Sequence, residues 1–324
     1  MYFNSSSGMI FSKGSDSETF LKIKNKPTAV KNIRLLLIRH GESAMNTSPD
    51  YICGQMNDVP LTEKGECEAE ALGKMLKISK IKFDLVFCSP ATRAYDTSVI
   101  CLNNMNTNVI TWTSDLLLER SQGDWSGHIR SEVHTDDIIN EIKRDPLNHR
   151  APNGESQRDV GERMMKFIND EIFTQYRIDN TFKTTVTIAV FTHGFAIKCL
   201  LRHILNSDPN FTWKISIDNT SITELYYDHH DWHIRKLNDT SHYVHLDEIQ
   251  RDRKFNKNII ADPNRQWIQC GDDIPRPVIT FEEYQKMIED EENESVESIV
   301  QTEGDIHQSG ITIDELISMH GIFF

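Results

Sequence analysis

The sequence predicts an α/β fold: a three-layer α/β/α sandwich whose sheet is mainly parallel with an antiparallel edge. Three observations carry the prediction. Two apolar runs, residues 33–38 and 185–192, have the length and branched side chains of strands buried on both faces. Segments with helical spacing of apolar residues alternate with such runs, the pattern of a sheet covered by helices. Two further runs, 221–227 and 232–237, flank Asp228-His229-His230-Asp231 and read as a hairpin that adds antiparallel strands.

Taken in order, residues 1–30 are rich in Ser, Lys and Asn without sustained period and read as a flexible lead. A catalytic-sized domain is expected over 31–247. Its opening strand, 33–38, runs into Arg39-His40-Gly41. Thr62 is placed to cap a helix whose buried face holds Leu72, Met75 and Leu76, ending near Ser79. Residues 84–88 form a second strand, stopped by Ser89-Pro90, and a helix from Ala91 carries Arg93 in its first turn. Val109 to Trp112 reads as a short third strand, and Leu116-Leu117-Leu118 as an apolar run delivering Glu119. A helix over 134–145 stops before Pro146. Ser156 and Asp159 have the spacing of a capping box ahead of a helix with Val160, Met164, Phe167 and Ile168 on its apolar face. The strand 185–192 ends in His193-Gly194, followed by a helix from Phe195 to Leu205.

From residue 248 the chain changes character, and 248–324 reads as an acidic, partly helical extension. The net charge is −14, but this last segment holds 7 Lys/Arg against 17 Asp/Glu, leaving 28 against 32 for residues 1–247. Pro275-Arg276-Pro277 breaks it, capping patterns start at Thr280 and Thr312, and the run 289–292 repels itself. This charge balance argues against nucleic-acid binding, which needs a basic footprint. No apolar run is long enough for a bilayer-spanning helix, and the first residues lack the layout of a secretory signal. Six scattered cysteines, with no C-x-x-C pair, suit reduced thiols in a cytoplasmic protein.

The chemistry lies at the ends of these runs. Ile38-Arg39-His40-Gly41 and Phe191-Thr192-His193-Gly194 end alike, so parallel neighbours would bring both imidazoles to one sheet edge. Arg93 and Glu119 complete a set of two His, two Arg and one Glu, expected at strand ends. A phosphate monoester carries close to two negative charges, and Arg39 and Arg93 could fork onto its oxygens. A neutral imidazole is a nucleophile once its other nitrogen is held, which makes His40 the candidate. Glu119 would protonate the leaving oxygen and then deprotonate water. With cationic side chains in the electrostatic role of a metal, none is required.

The motif Leu37-Ile38-Arg39-His40-Gly41-Glu42-Ser43, followed by Asn46, resembles the signature of the histidine phosphatase superfamily, also called phosphoglycerate mutase-like. The likeness continues in order through residues 60–65, 89–94, 118–127, 153–156, 192–194 and 237–242, covering roughly 33–247. By position it implies a phosphohistidine at His40, a phosphoryl group held by Arg39, Arg93 and His193, and Glu119 as proton donor. Asn46 and the Gly194 backbone would complete the pocket, with Ser43 and Gln55 lining it. Mutases of the family have Tyr three residues after the catalytic Glu; Gln122 stands there, and Gly123-Asp124-Trp125-Ser126-Gly127 is more similar to the phosphatase branch. The expected activity is phosphomonoester hydrolysis without a cofactor. The alternatives are a phosphoglycerate mutase, which would need 2,3-bisphosphoglycerate, and a weakly catalytic scaffold that binds through its extension. The expected substrate is a small-molecule phosphomonoester, with phosphoproteins also compatible. No nucleic-acid or membrane partner is expected, and the oligomeric state is open, a homodimer included.

Blander readings fit other residues. His229, His230, Asp231 and His233 lie at a hairpin turn and lack Cys partners, so a solvated turn is expected there rather than a metal site. Glu42 suits a structural role, and His242 and His245 suit packing or capping.

Overall fold

The structure is a computed structural model that describes residues 28–251 and 253, apart from 180 and 183. The readings placed on residues 1–27, on Pro275-Arg276-Pro277 and on the helices expected from Thr280 and Thr312 lie outside the described residues.

Fifteen strands and helices are described. They are β1 (Thr28–Val30), β2 (Asn32–Arg39), α1 (Glu63–Ile78), β3 (Leu85–Cys88), α2 (Thr92–Met105), β4 (Thr111–Thr113), α3 (Arg130–Val133) and α4 (Asp136–Arg144). They continue with α5 (Gln157–Phe167), β5 (Tyr176–Ile178), β6 (Thr185–Thr192), α6 (Gly194–Leu205), α7 (Phe211–Lys214), β7 (Ile222–Tyr227) and β8 (Trp232–Asp239). Six strands make one sheet in the order β4-β3-β6-β2-β7-β8. The first four are parallel, while β7 and β8 run antiparallel and close one edge.

Strand β2 occupies the middle of this sheet, and its alternating side chains feed two cores. Ile33, Leu35 and Leu37 pack with Val160, Met164 and Phe167 of α5 and Ile197, Leu200 and Leu201 of α6. Leu36 and Ile38 face the other way, onto Leu72 and Leu76 of α1 and Cys101 and Leu102 of α2. Helices on both faces of one sheet are the α/β/α sandwich the sequence predicts.

The local signals act as expected at most termini. Thr62 Oγ1 accepts from Gly65 N at the start of α1, and Ser156 and Asp159 form a reciprocal capping box at the start of α5. Three stretches differ. Thr28–Val30, within the expected lead, pairs in parallel with β5, and Val30 is buried. The third strand is displaced to Thr111–Thr113, because Val109 joins the α1–α2 core and Trp112 takes the register position opposite Phe87. Leu116 and Leu117 are not a strand: Asp115–Leu117 makes a single 3₁₀ turn, whose inward residue Leu117 is fully buried. Glu119 therefore comes from a loop rather than from a strand end, while Arg93 sits in the first turn of α2 as expected.

After β8, a 3₁₀ turn (Ser241–His245) leads into residues that pack on α1. Ile249 is buried against Cys67 and Ala71, and Arg253 pairs with Glu66 at 2.7 Å and Glu70 at 3.2 Å. The first residues of the expected extension are thus docked on the catalytic-sized domain.

Candidate active site

Strands β2 and β6 are parallel neighbours with Arg39 opposite Thr192. That register sets His40 and His193 side by side beyond the carboxyl edge of the sheet, with ring centroids 5.2 Å apart at 62°. His40 N donates to Thr192 O at 2.9 Å, and Asn219 Nδ2 donates to His40 O at 3.0 Å, so the backbone of His40 is fixed from the end of β6 and from the turn before β7.

Two glycines allow the loop after His40 to fold tightly. A Cβ on Gly41 would stand 2.5 Å from Gly65 O, and one on Gly65 would stand 2.0 Å from Glu42 O. The chain therefore crosses the start of α1 at backbone contact distance. Gly41 N donates to Thr97 Oγ1 at 2.9 Å, and Thr97 Oγ1 donates in turn to Arg93 O at 2.6 Å. The loop after His40 and the helix bearing Arg93 are linked through this hydroxyl.

The His40 ring sits with Nδ1 2.7 Å from Gly41 O. A carbonyl only accepts, so Nδ1 carries the proton and Nε2 keeps its lone pair. Burial, reinforced by the cations of Arg39 and Arg93, holds the His40 pKa well below the ordinary imidazole range. His193 is fully buried behind it, and burial and Arg93 push its pKa down too. Its Nε2 lies 2.8 Å from Ser89 Oγ, which already accepts from Ala91 N. The Ser89 proton can then go to Nε2, which leaves Nδ1 as the N–H donor, without another partner among the described residues.

The two arginines are held by carbonyls instead of carboxylates. Arg93, 2% exposed, donates to Met56 O at 2.7 Å and to Gly54 O at 3.3 Å. Arg39 Nη1 donates to Ile217 O at 2.7 Å, and its Nε is buried without a partner among the described residues. A Cβ on Gly194 would lie 3.2 Å from Arg39 Nε, so the bare backbone at the start of α6 lets the guanidinium lie against it. Carbonyl partners fix these cations without neutralising them, which suits an anion that arrives from outside.

Glu119 lies at the same start of α6. One carboxylate oxygen accepts from Arg120 N at 2.8 Å and Ala196 N at 3.2 Å, the other from Phe195 N at 3.1 Å. Asn46 Oδ1 is engaged by Ser43 N and Ser43 Oγ, both at 3.0 Å, which turns its Nδ2 to the cavity. Arg39, His40, Ser43, Asn46, Arg93 and Glu119 all line one cavity of about 640 Å³. Gln55 does not. Its Nε2 donates to Glu119 O at 2.8 Å, so it braces the Glu119 loop from behind. Gly194 and His193 are not among the lining residues, although the His193 ring lies against that of His40, which is.

The sequence reading assigns no role to several residues that build this site. Arg163 of α5 donates to the carbonyls of Leu116 (2.7 Å), Leu118 (3.0 Å) and Glu119 (3.4 Å) and pairs with Glu155 at 2.8 Å. Glu155 in turn accepts from Ser121 N at 2.8 Å. The capping box at Ser156 marks where Glu155 must sit, but no sequence signal points to Arg163. Glu42 is structural, bonded to Thr62 and Lys64. His233 pairs with Asp228 at 2.9 Å, and among the described residues no group of three His, Cys, Asp or Glu is placed to hold a metal ion.

Comparison with known proteins agrees with this geometry. The description "Histidine phosphatase superfamily (branch 1)" matches residues 35–240. A 2,3-bisphosphoglycerate-dependent phosphoglycerate mutase of Bartonella tribocorum is 34% identical over 170 residues, 52% of this chain and 79% of that protein. A Hydrogenobacter thermophilus protein that bears a phosphoserine phosphatase name is 30% identical over 199 residues, 60% of this chain and 89% of its own. Among solved structures, phosphoserine phosphatase of Entamoeba histolytica superposes with a TM-score of 0.55 at 23% identity, covering 65% of this chain and 98% of that one. With the matched span covering more than half of the chain and all of the six-stranded sheet except the first three residues of β2, the chain belongs to the histidine phosphatase superfamily.

Proposed function

We propose that the protein is a phosphomonoester hydrolase working through a phosphohistidine on His40, on small-molecule substrates. The observation that carries this reading is the His40 ring itself: Nδ1 is tied to Gly41 O, and the neutral Nε2 stands beside two cations that have no carboxylate partner among the described residues. Nε2 attacks phosphorus, a P–N bond forms and the P–O bond to the alcohol breaks. Glu119, in its protonated form, gives the leaving oxygen its proton. The resulting carboxylate then takes a proton from water, the hydroxide forms a new P–O bond, and the P–N bond breaks to release phosphate and neutral His40. Arg39, Arg93, the Nδ1 proton of His193 and the Asn46 amide spread the charge of the transferring group. These groups supply the cationic charge of the transition state, so the reading calls for no cofactor. Among the described residues five cysteines are free of disulfides, which fits a reducing compartment, the cytoplasm.

Incubation with a labelled aryl phosphate and rapid quench tests the mechanism. Wild-type protein should carry label and release phosphate, and His40→Ala should do neither; undiminished turnover in His40→Ala would refute the nucleophile. A mutase would instead convert 3-phosphoglycerate to its 2-isomer when primed with 2,3-bisphosphoglycerate. A scaffold would do neither, with its fold intact.

A further inference from the structure

The cavity extends well past the phosphate-binding floor, and its far wall contains polar groups that the phosphoryl chemistry does not use. Gln157, the first residue of α5, is 1% exposed and lines the cavity. Neither its amide oxygen nor its amide nitrogen has a hydrogen-bond partner among the described residues. His149 Nε2 and Arg120 Nε, both in the same lining, are likewise buried without a partner there. Buried polar atoms are paired in the great majority of proteins, and leaving one unpaired costs about 1–3 kcal/mol. Four such atoms in the lining of one cavity mark a place where a ligand completes the bonding.

The neighbouring groups define that ligand. Trp125 lies 5.7 Å from the His134 ring, edge to face at 72°, and 5.9 Å from the His149 ring, an aromatic cluster in the same cavity lining as Gln157. Ile139 and Ile142 of α4, a helix with no fully buried residue, also line the cavity and give it an apolar face. A primary amide offers one donor and one acceptor side by side, so it complements a group that carries an adjacent acceptor and donor. A cavity of about 640 Å³ suits a drug-sized molecule and leaves a three-carbon phosphoacid largely uncontacted.

We infer that this wall is a recognition subsite for the alcohol portion of the substrate, and that this portion is a ring bearing adjacent donor and acceptor groups. The ring packs between Trp125 and the α4 face, Gln157 pairs with its polar edge, and His149 and Arg120 bond its remaining acceptors. Sugars and nucleosides both present such an edge, as vicinal hydroxyls or as a base. The inference rests on the reading of His40 as the nucleophile.

The test is kcat/KM of the full chain on two substrate sets. One holds glycerol 1-phosphate and 3-phosphoglycerate; the other holds hexose phosphates and nucleoside 5′-monophosphates, with ribose 5-phosphate as the base-free comparison. At least one ring-bearing ester should exceed the three-carbon set by about a hundredfold. If nucleotides lead, ribose 5-phosphate should fall back; if hexose phosphates lead, the source is a sugar. Gln157→Met keeps the side-chain length and removes both polar atoms. It should reduce the preference for the leading ring ester by about tenfold, chiefly through KM. Equal or better turnover of the three-carbon set overturns the inference, whether or not the variant folds. In that outcome a trapped phosphohistidine leaves the hydrolase reading standing, whereas no label and no turnover on any ester removes both.

Discussion

At the residue scale, the site works by committing one face of each polar side chain to the protein and leaving the other to the substrate. His40 gives Nδ1 to Gly41 O, Asn46 gives its oxygen to Ser43, and Arg93 gives two nitrogens to carbonyls. The types and spacing of His40, Arg39, Arg93 and His193 were legible in the chain, because each follows a recognisable strand end or helix start. Their tautomers were not, since these depend on carbonyls that only folding brings within reach. Glu119 has a testable place in this set. Its carboxylate is aimed by three amides, so Glu119→Gln keeps similar shape while losing the proton to be transferred. The variant should lose about 10²–10⁴-fold on alkyl phosphates and much less on nitrophenyl phosphate, whose leaving group needs no proton. Equal losses on both would remove Glu119 from the acid role.

At the element scale, periodicity identified both long strands and the helices that cover them, and it failed where tertiary packing overrode local pattern. Leu116-Leu117-Leu118 looks like a strand, yet its first two leucines enter a 3₁₀ turn because Leu117 must reach the core beneath α5. What holds that turn is Arg163, eight residues beyond Glu155 and more than forty beyond the carbonyls it grips. No local rule predicts a contact across that separation. Arg163 acts through Glu119 and is a positioning residue. Arg163→Met should lower kcat about 10- to 100-fold, more than it raises KM, and should steepen the dependence of rate on leaving-group pKa. A loss of stability without that steeper dependence would assign Arg163 to folding alone.

At the scale of the whole molecule, three buried histidines couple folding to pH. His242 is fully buried, bonds Thr220 Oγ1 through Nε2 at 2.8 Å, and titrates at about 4 because burial disfavours its cation. His40 and His193 are depressed in the same direction. The folded values lie below the unfolded one near 6.5, so on acidification the unfolded chain takes up protons first. Stability is full above pH 6.5 and falls towards pH 4, by about 3 kcal/mol from His242 alone. Urea unfolding at pH 7.5 and 4.5 should register at least this drop, and His242→Gln should remove part of it; a flat profile would contradict the burial argument.

The cavity wall also sets how substrates arrive. Arg39, Arg93, Arg120, Arg130, Lys143 and Arg150 surround the cavity, in a chain whose net charge is −14. Far from the mouth, a doubly charged ester meets a repelling molecule, and within about 8 Å, the Debye length at physiological ionic strength, the local cations prevail. Added salt weakens both fields, first the long-range repulsion and then the short-range capture. Encounter rates should therefore vary little with moderate salt, unlike those of enzymes whose whole surface attracts their substrate. Such a molecule selects anions by where they land and gathers few of them elsewhere.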